Sequence, residues 1–452
     1  MKKLLSFSAF TIGIIILYSL INFIELSLTK TGVENKLLFG ILILFKAILI
    51  TLWLSGITYN KLWDKNTLKN KTSRIIWVLT LIFVFILFNS SLLLLDRTSK
   101  LYKHIKGPSC GWKGKLWQSD TTLGARPIPN AKGFETFVIS KDVPIKFDRN
   151  GFRVPIFYTD TTIKRPLFLF LGCSFTFGMA CPAEESFPYI VSQNTRGSSM
   201  NAGICAGGLS QMLLLSRELV PRYKPDFVVV QYSPWLAQRA TLMGAPTYIA
   251  VTPVPYISKT KDGKNVISPI AFNSKTLDLN IEKFRGTPKN IRDYTCFLFE
   301  IAIPLYLHDI YYRTITAFKK ILGEIPKPDK NIKDIEQFAY SNIYDVCKQN
   351  NSKMIILNLG DITYTKNSHT LILPDSNIIF AEADSLLFRR LKSPNEYNKE
   401  YMHWYFNGKD SVIEDVHPTY KANKIIAEAI VTAIKGNNKK TNLSYSCDTI
   451  KK

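Results

Sequence analysis

The sequence predicts an α/β fold, a doubly wound parallel sheet preceded by three N-terminal transmembrane helices. Three observations predict it. Residues 1–106 contain three apolar runs, each close to the roughly 20 residues that span hydrocarbon. From Pro166 onward, short apolar strands alternate with amphipathic helices, the rhythm of a parallel sheet covered on both faces. With 452 residues, the chain has room for both parts.

The apolar runs cover 4–28, 37–59 and 75–95, each bounded by Lys, Arg or Asp. Lys2 and Lys3 precede the first in the manner of a cleaved leader. The run exceeds the roughly 7 to 15 residues of a leader's apolar region and lacks an A-x-A site, so it reads as a retained helix. Loop 60–74 carries Lys61, Lys65, Lys69, Lys71 and Arg74 against Asp64, whereas loop 29–36 carries Lys30 and Lys36 against Glu34. Basic loops stay in the cytoplasm. The expected protein is therefore multi-pass in the cell (inner) membrane, with a cytoplasmic N-terminus and everything after residue 95 extracytoplasmic. Arg97, Lys100, Lys103 and Lys106 run against that orientation. Glu25 and Lys46 sit inside the first two runs, as an ion pair between helices, as snorkelling charges, or as a polar path.

The net charge is +23, and residues 1–106, with 14 Lys and Arg against 4 Asp and Glu, carry +10 of it. The remaining +13 is spread evenly and reads as bulk composition, though a basic exterior also suits anionic glycans or headgroups. No basic run interleaved with aromatics points to nucleic acid. The seven cysteines lack C-x-x-C spacing, which argues against a zinc or redox motif.

After the membrane anchor, 1–106, residues 107–165 read as an irregular β lead-in, with extended patches at 136–140 and 144–147. The α/β domain occupies 166–436. Its expected strands are 166–172, 200–204, 226–233 and 353–357, and its expected helices 186–193, 209–220, 332–349 and 422–434. Residues 240–330, rich in Pro, Tyr and Thr, break the rhythm as an insertion with a helix at 294–318. The tail, 437–452, is polar and Lys-rich, and is expected to be disordered.

Strand 167–171 runs into Gly172-Cys173-Ser174-Phe175-Thr176-Phe177-Gly178, which places a serine at the C-terminal edge of the sheet, where open α/β sheets bind ligands. A helix start and a backbone N–H there can stabilise developing negative charge. Far downstream, Glu414-Asp415-Val416-His417-Pro418 forms a loop opening onto the last helix. Histidine is the usual general base for serine, and carboxylates lie two and three residues before this one.

In these blocks the chain resembles the GDSL/SGNH hydrolase superfamily, over about 145–436, and Asn150-Gly151-Phe152-Arg153 resembles a lead-in of many bacterial members. The resemblance implies a flavodoxin-like domain and Ser174 as nucleophile, with Cys173 in place of the family's usual aspartate. The second block resembles Asn201-Ala202-Gly203-Ile204-Cys205-Ala206-Gly207. It implies an oxyanion hole from the N–H groups of Ser174 and of Ala206 or Gly207. The third block departs from the family. Trp235 stands near the position of its oxyanion asparagine and is expected to line the substrate pocket, leaving Gln231 or Ser233 as substitute donors. The last block implies His417 as base, with Asp415, or alternatively Glu414, as its acid. No metal or other cofactor is implied.

The activity implied is that of a membrane-tethered serine esterase or O-acyltransferase on ester groups, acetyl first, of envelope or surface polysaccharide, with lipid esters as an alternative substrate. Expected partners are that ester-bearing glycan or lipid, membrane lipid and a membrane acyltransferase, and no nucleic acid. The competing expectation is a catalytically weakened binding or scaffold protein of an envelope glycan-modifying system, for which Trp235 is the evidence.

Overall fold

The computed structural model describes residues 111–136, 142–159, 162–246, 251–271, 274–279, 296–323, 330–360, 378–390, 402–407 and 410–436. All fall in the unit Lys103–Lys452. The three apolar runs, with Glu25 and Lys46, and the tail 437–452 lie outside the described residues. Among the described residues no helix is long and apolar enough to cross a membrane.

The lead-in is more regular than its sequence suggests. It comprises β1 (Gly111–Lys113), β2 (Trp117–Asp120), β3 (Gly124–Pro127), β4 (Lys132–Thr136), β5 (Val143–Phe147) and β6 (Arg153–Val154). Four of these form an antiparallel sheet in the order β1-β4-β5-β6, and β2 and β3 form a hairpin. Strands of two to five residues, punctuated by Gly and Pro, are too short to show alternation in sequence. Their inner side chains hold them together: Trp112, Trp117 and Phe147 surround Phe177, with ring centroids 5.7 to 6.2 Å from it.

The α/β domain begins at β7 (Leu167–Leu171), whose five residues are all buried, as a strand covered on both faces requires. Helix α1 (Ser174–Phe177), helix α2 (Phe187–Thr195) and strand β8 (Ser198–Asn201) follow. Strand β8 ends three residues before the expected 204, because Ala202–Ile204 leave the sheet for a loop. Next come α3 (Leu209–Tyr223), β9 (Phe227–Tyr232) and the short α4 (Pro234–Arg239).

Two hairpins then interrupt the rhythm, β10 (Gly244–Pro246) with β11 (Val251–Pro253), and β12 (Tyr256–Lys259) with β13 (Asn265–Ser268). The helix expected over 294–318 instead opens with a π-helical turn, Leu298–Ala302, and runs as α5 (Ile303–Ile321). The domain resumes with α6 (Ile332–Gln349), β14 (Lys353–Asn358), β15 (Ile379–Glu382) and α7 (Ala383–Arg389).

The last block departs from its expected loop. Residues Asp410–Pro418 form β17, paired antiparallel with β16 (Met402–Asn407), before helix α8 (Tyr420–Lys435).

The parallel sheet runs β15-β14-β9-β7-β8, which in chain order is 2-1-3-4-5, the flavodoxin-like doubly wound order. Helices α3 and α6 pack together, as do α2 and α8. Strand order reverses between β7 and β9, so the crevice at their C-terminal ends is where such a sheet binds ligands. Ser174 follows β7, and Trp235 follows β9.

Candidate active site

The turn after β7 is shaped by close approach. A Cβ on Gly172 would lie 2.0 Å from Thr176 Oγ1 and 2.5 Å from Gln231 Oε1, and one on Gly203 would lie 2.3 Å from the Phe177 nitrogen. Only glycine fits at either point, so the first and second blocks pack directly on each other. Ser174 opens α1 one residue after Cys173, and is 6 % exposed.

His417, 9 % exposed, reaches this serine from the far end of the chain, with Nε2 2.7 Å from Ser174 Oγ. The two are 243 residues apart and meet because β17 delivers the histidine to the start of α8. Buried Asn423 fixes that delivery, its Nδ2 donating to the Pro418 carbonyl at 3.2 Å and its Oδ1 accepting from the Phe187 N–H at 3.4 Å. The Phe175 ring stands 5.2 Å from His417 on one side and 5.2 Å from Trp235 on the other. Trp235, half-buried on α4, is thus one aromatic ring removed from the Ser174–His417 pair.

Asp415 and Glu414 are both on β17, where Asp415 pairs with His403. Their side chains lie outside the described residues. The β16–β17 register shifts on either side of His403, so strand alternation does not choose between the two carboxylates.

On the oxyanion side, Ala206 has φ +59° and Gly207 donates its N–H to the Ile204 carbonyl at 2.9 Å. That turn commits the Gly207 donor, and corrects the expectation that either residue could serve. Ala206 holds the left-handed conformation that glycine adopts freely, and no hydrogen bond from its N–H is found among the described residues. Gln231 and Ser233 are corrected as substitute donors. Gln231 is fully buried, its Oε1 accepting from the Cys173 N–H at 3.1 Å and from Thr176 Oγ1 at 2.9 Å, and its Nε2 donating to Ser233 Oγ at 2.8 Å. The Ser233 hydroxyl in turn donates to the Leu359 carbonyl. Gln231 therefore braces the turn that carries Ser174 from β9.

A second brace went unread in the sequence. Buried Arg153, from the lead-in block, donates from Nη1 to the Phe177 carbonyl at 2.7 Å and to that of Gly178, and from Nη2 to the Cys181 carbonyl at 2.6 Å. Its guanidinium stands 4.4 Å from the centre of the Phe177 ring. Burial pulls its pKa down and the nearby Glu135 opposes that, yet a guanidinium remains charged. Buried Glu135 accepts the Ala180 N–H at 2.9 Å. Asn201 completes the brace, donating to the Phe177 carbonyl at 3.2 Å and accepting from the Gly203 N–H at 3.1 Å. The end of α1 is thus a cluster of carbonyls gathered by one cation. The available sequence signal was the Asn150–Arg153 block, which did not reveal its target.

Among the described residues no group of His, Cys, Asp and Glu could hold a metal ion, and Cys173, Cys181, Cys205, Cys296 and Cys347 are free thiols.

No family model matches the chain, and no curated protein matches it. Among solved structures, it is similar to a lipolytic protein of the G-D-S-L family from Desulfitobacterium hafniense DCB-2. Identity is 12 %, coverage 60 % of this chain and 99 % of that one, and TM-score 0.30. It is also similar to the psychrotrophic esterase EstA from Pseudoalteromonas sp., at 10 % identity, covering 60 % and 97 %, with TM-score 0.24. A third is a catalytic mutant of an acetylxylan esterase from Geobacillus stearothermophilus, at 13 % identity, covering 61 % and 96 %, with TM-score 0.23. Likeness at this distance carries nothing about activity.

Proposed function

We propose that this chain is an SGNH-type serine esterase or O-acyltransferase, tethered to the membrane by residues 1–106, that acts on ester groups, acetyl first, of envelope or surface polysaccharide outside the cell. The observation that carries the enzymatic reading is the 2.7 Å approach of His417 Nε2 to Ser174 Oγ at the switch point of the sheet. A serine within hydrogen-bond reach of an imidazole, at a strand-to-helix turn, is the constellation of an activated nucleophile.

In this mechanism Ser174 Oγ attacks the ester carbonyl carbon as His417 Nε2 takes its proton. The N–H groups of Ser174 and Ala206 stabilise the tetrahedral oxyanion. Collapse breaks the bond to the leaving alcohol, which receives the proton from His417, and leaves an acyl-Ser174. Water, or a sugar hydroxyl in the transferase case, then attacks with His417 again as base, releasing the acid or the new ester. Asp415 is assigned to orient the imidazole. Trp235 lines the pocket for the acyl group or sugar. The exterior location rests on the basic loop 60–74.

A fluorophosphonate probe tests the enzymatic reading: Ser174 of the full chain becomes labelled, and Ser174→Ala does not. Trp235, standing where the family's third donor would be, favours a second reading as a non-catalytic binding protein. Absence of labelling in the folded wild-type chain would establish that reading and overturn ours. A reporter active only outside the cytoplasm, fused after Asn437, is active if the topology is right. Activity of a cytoplasmic reporter at that position overturns the location alone.

A further inference from the structure

Helix α5 (Ile303–Ile321) is amphipathic in the wrong sense for a helix on a water-soluble domain. At ~100° per residue, Ile310, Tyr311, Phe318, Ile321 and Leu322 all fall within about 60° of Leu307. That stripe faces outward: Leu307 is 57 % exposed, Phe318 61 % and Ile321 82 %. The opposite face carries polar groups and is turned inward. Thr316 is buried, His308 and Asp309 are mostly covered with 3.8 Å between Nδ1 and Oδ1, and Lys319 Nζ donates to the Ala271 carbonyl at 3.4 Å. Among the described residues, the turn before the helix and its first turn are anchored conventionally, through buried Phe297, Ile301 and Leu305. A contiguous apolar stripe of this size, outward on a helix, marks a surface that something apolar covers.

Two further facts identify the cover. Arg313, exposed, lies off the apolar stripe, which matches an interfacial helix whose cation reaches anionic headgroups while its apolar face enters the acyl boundary. The same chain carries three apolar runs of bilayer-spanning length and a net charge of +23, so a bilayer is the apolar phase at hand. We propose that α5 lies in the plane of a lipid bilayer, with the stripe from Leu307 to Leu322 in the acyl boundary and Arg313 at anionic headgroups. This makes the insertion a membrane-contact element for the domain. It rests on the reading of residues 1–106 as a membrane anchor and is independent of the esterase reading.

The test uses the full chain reconstituted in vesicles of phosphatidylcholine and phosphatidylglycerol that contain a phosphatidylcholine with a diazirine in its acyl chain. After photolysis and digestion, lipid adducts are mapped by mass. The proposal expects adducts on 303–322 in addition to those on 4–95, reduced at least tenfold by Leu307→Ser/Ile310→Ser/Phe318→Ser. An unchanged thermal midpoint in that variant shows that it is folded. Should the triple variant fail to fold, Ile321→Ser alone, at the exposed end of the helix, serves as the second variant.

Adducts confined to 4–95 would overturn the proposal and leave the anchor standing. Adducts on 303–322 but not on 4–95 would uphold it and overturn the anchor. Adducts in neither segment would overturn both. If light scattering finds a dimer whose formation the triple variant abolishes, and 303–322 stays unlabelled, the cover is a second copy of this chain and the proposal fails.

Discussion

The two halves of the candidate site are built to different standards. On the Ser174 side, the turn that carries the serine is held from separate segments: Arg153 and Trp117 of the lead-in, Asn201 at the end of β8 and Gln231 on β9. On the proposed oxyanion side, Ala206 occupies a backbone conformation that favours glycine, Gly207 is committed to its own turn, and Trp235 packs against Phe175. The difference teaches that placing Ser174 draws on several distant segments, while the Ala206–Gly207 turn rests on its own backbone. On the proposed mechanism, the parts that place Ser174 and His417 are held by several hydrogen bonds, while those that would stabilise charge in the transition state are fewer. With Trp235 where the resemblance implies an asparagine donor, losing one oxyanion donor in that mechanism costs roughly 3 kcal/mol, a hundredfold or more in rate, so the asymmetry predicts slow turnover rather than none.

Several substitutions break or sharpen that contrast. Ser174→Ala has the largest effect, lowering hydrolysis of p-nitrophenyl acetate by at least roughly 10⁴-fold with an unchanged thermal midpoint. A residual rate near wild type would place the nucleophile elsewhere. Arg153→Met leaves three carbonyls and Glu135 buried without their cation, and is expected to destabilise the domain by about 3–5 kcal/mol. Arg153→Lys recovers part of that, and a thermal midpoint unmoved in both would remove the brace from the account.

On the sparse side, Trp235→Asn is expected to raise kcat by up to about a hundredfold if the amide reaches the oxyanion, whereas Trp235→Ala chiefly raises KM. A hundredfold fall in kcat for Trp235→Phe with KM intact would make the indole N–H the donor and close the gap between the halves.

Beneath the end of β9, buried Glu336 on α6 hydrogen-bonds Tyr232, and burial lifts its carboxyl from 4.5 to about 7. The folded state therefore binds a proton that the unfolded state releases, so this group's contribution to stability falls as pH rises from about 4.5 to about 7, by up to about 3 kcal/mol. Glu336→Gln should flatten the thermal midpoint over that window and raise it at pH 8. A wild-type midpoint that climbs across the window through this residue would reverse the sign and refute the assignment.

The smallest effect belongs to Ala206→Gly, which relieves a left-handed alanine and is expected to stabilise by about 1 kcal/mol while leaving kcat unchanged. A loss of activity would show that the methyl group positions the neighbouring N–H.

Much of the framework was legible because its signals are local. Continuous apolar runs such as Leu167–Leu171 mark strands buried on both faces, and the 3.6-residue pattern of Ile332–Gln349 marks α6. The strand-to-turn serine and the downstream histidine were visible as residue types in context. The lead-in sheet was obscured because its strands are too short to alternate. The β17 segment reads as a loop in sequence because Asp and Glu interrupt it, and pairing with β16 overrides that local preference.

Sequence by itself thus determined the alternation of strands and helices from Pro166 onward and the doubly wound class, and it singled out Ser174 and His417 before the fold brought them within 2.7 Å, since each depends on periodicity or on a few adjacent residues. Tertiary structure alone decided the rest. That Gln231 is a brace and not an oxyanion donor, that Arg153 gathers the carbonyls beyond Ser174, and that α5 turns its apolar face outward all depend on which distant segment lies opposite. Hydrogen-bond partners and solvent exposure are set by three-dimensional neighbours, and a side chain's chemistry does not reveal on which of its faces those neighbours will stand.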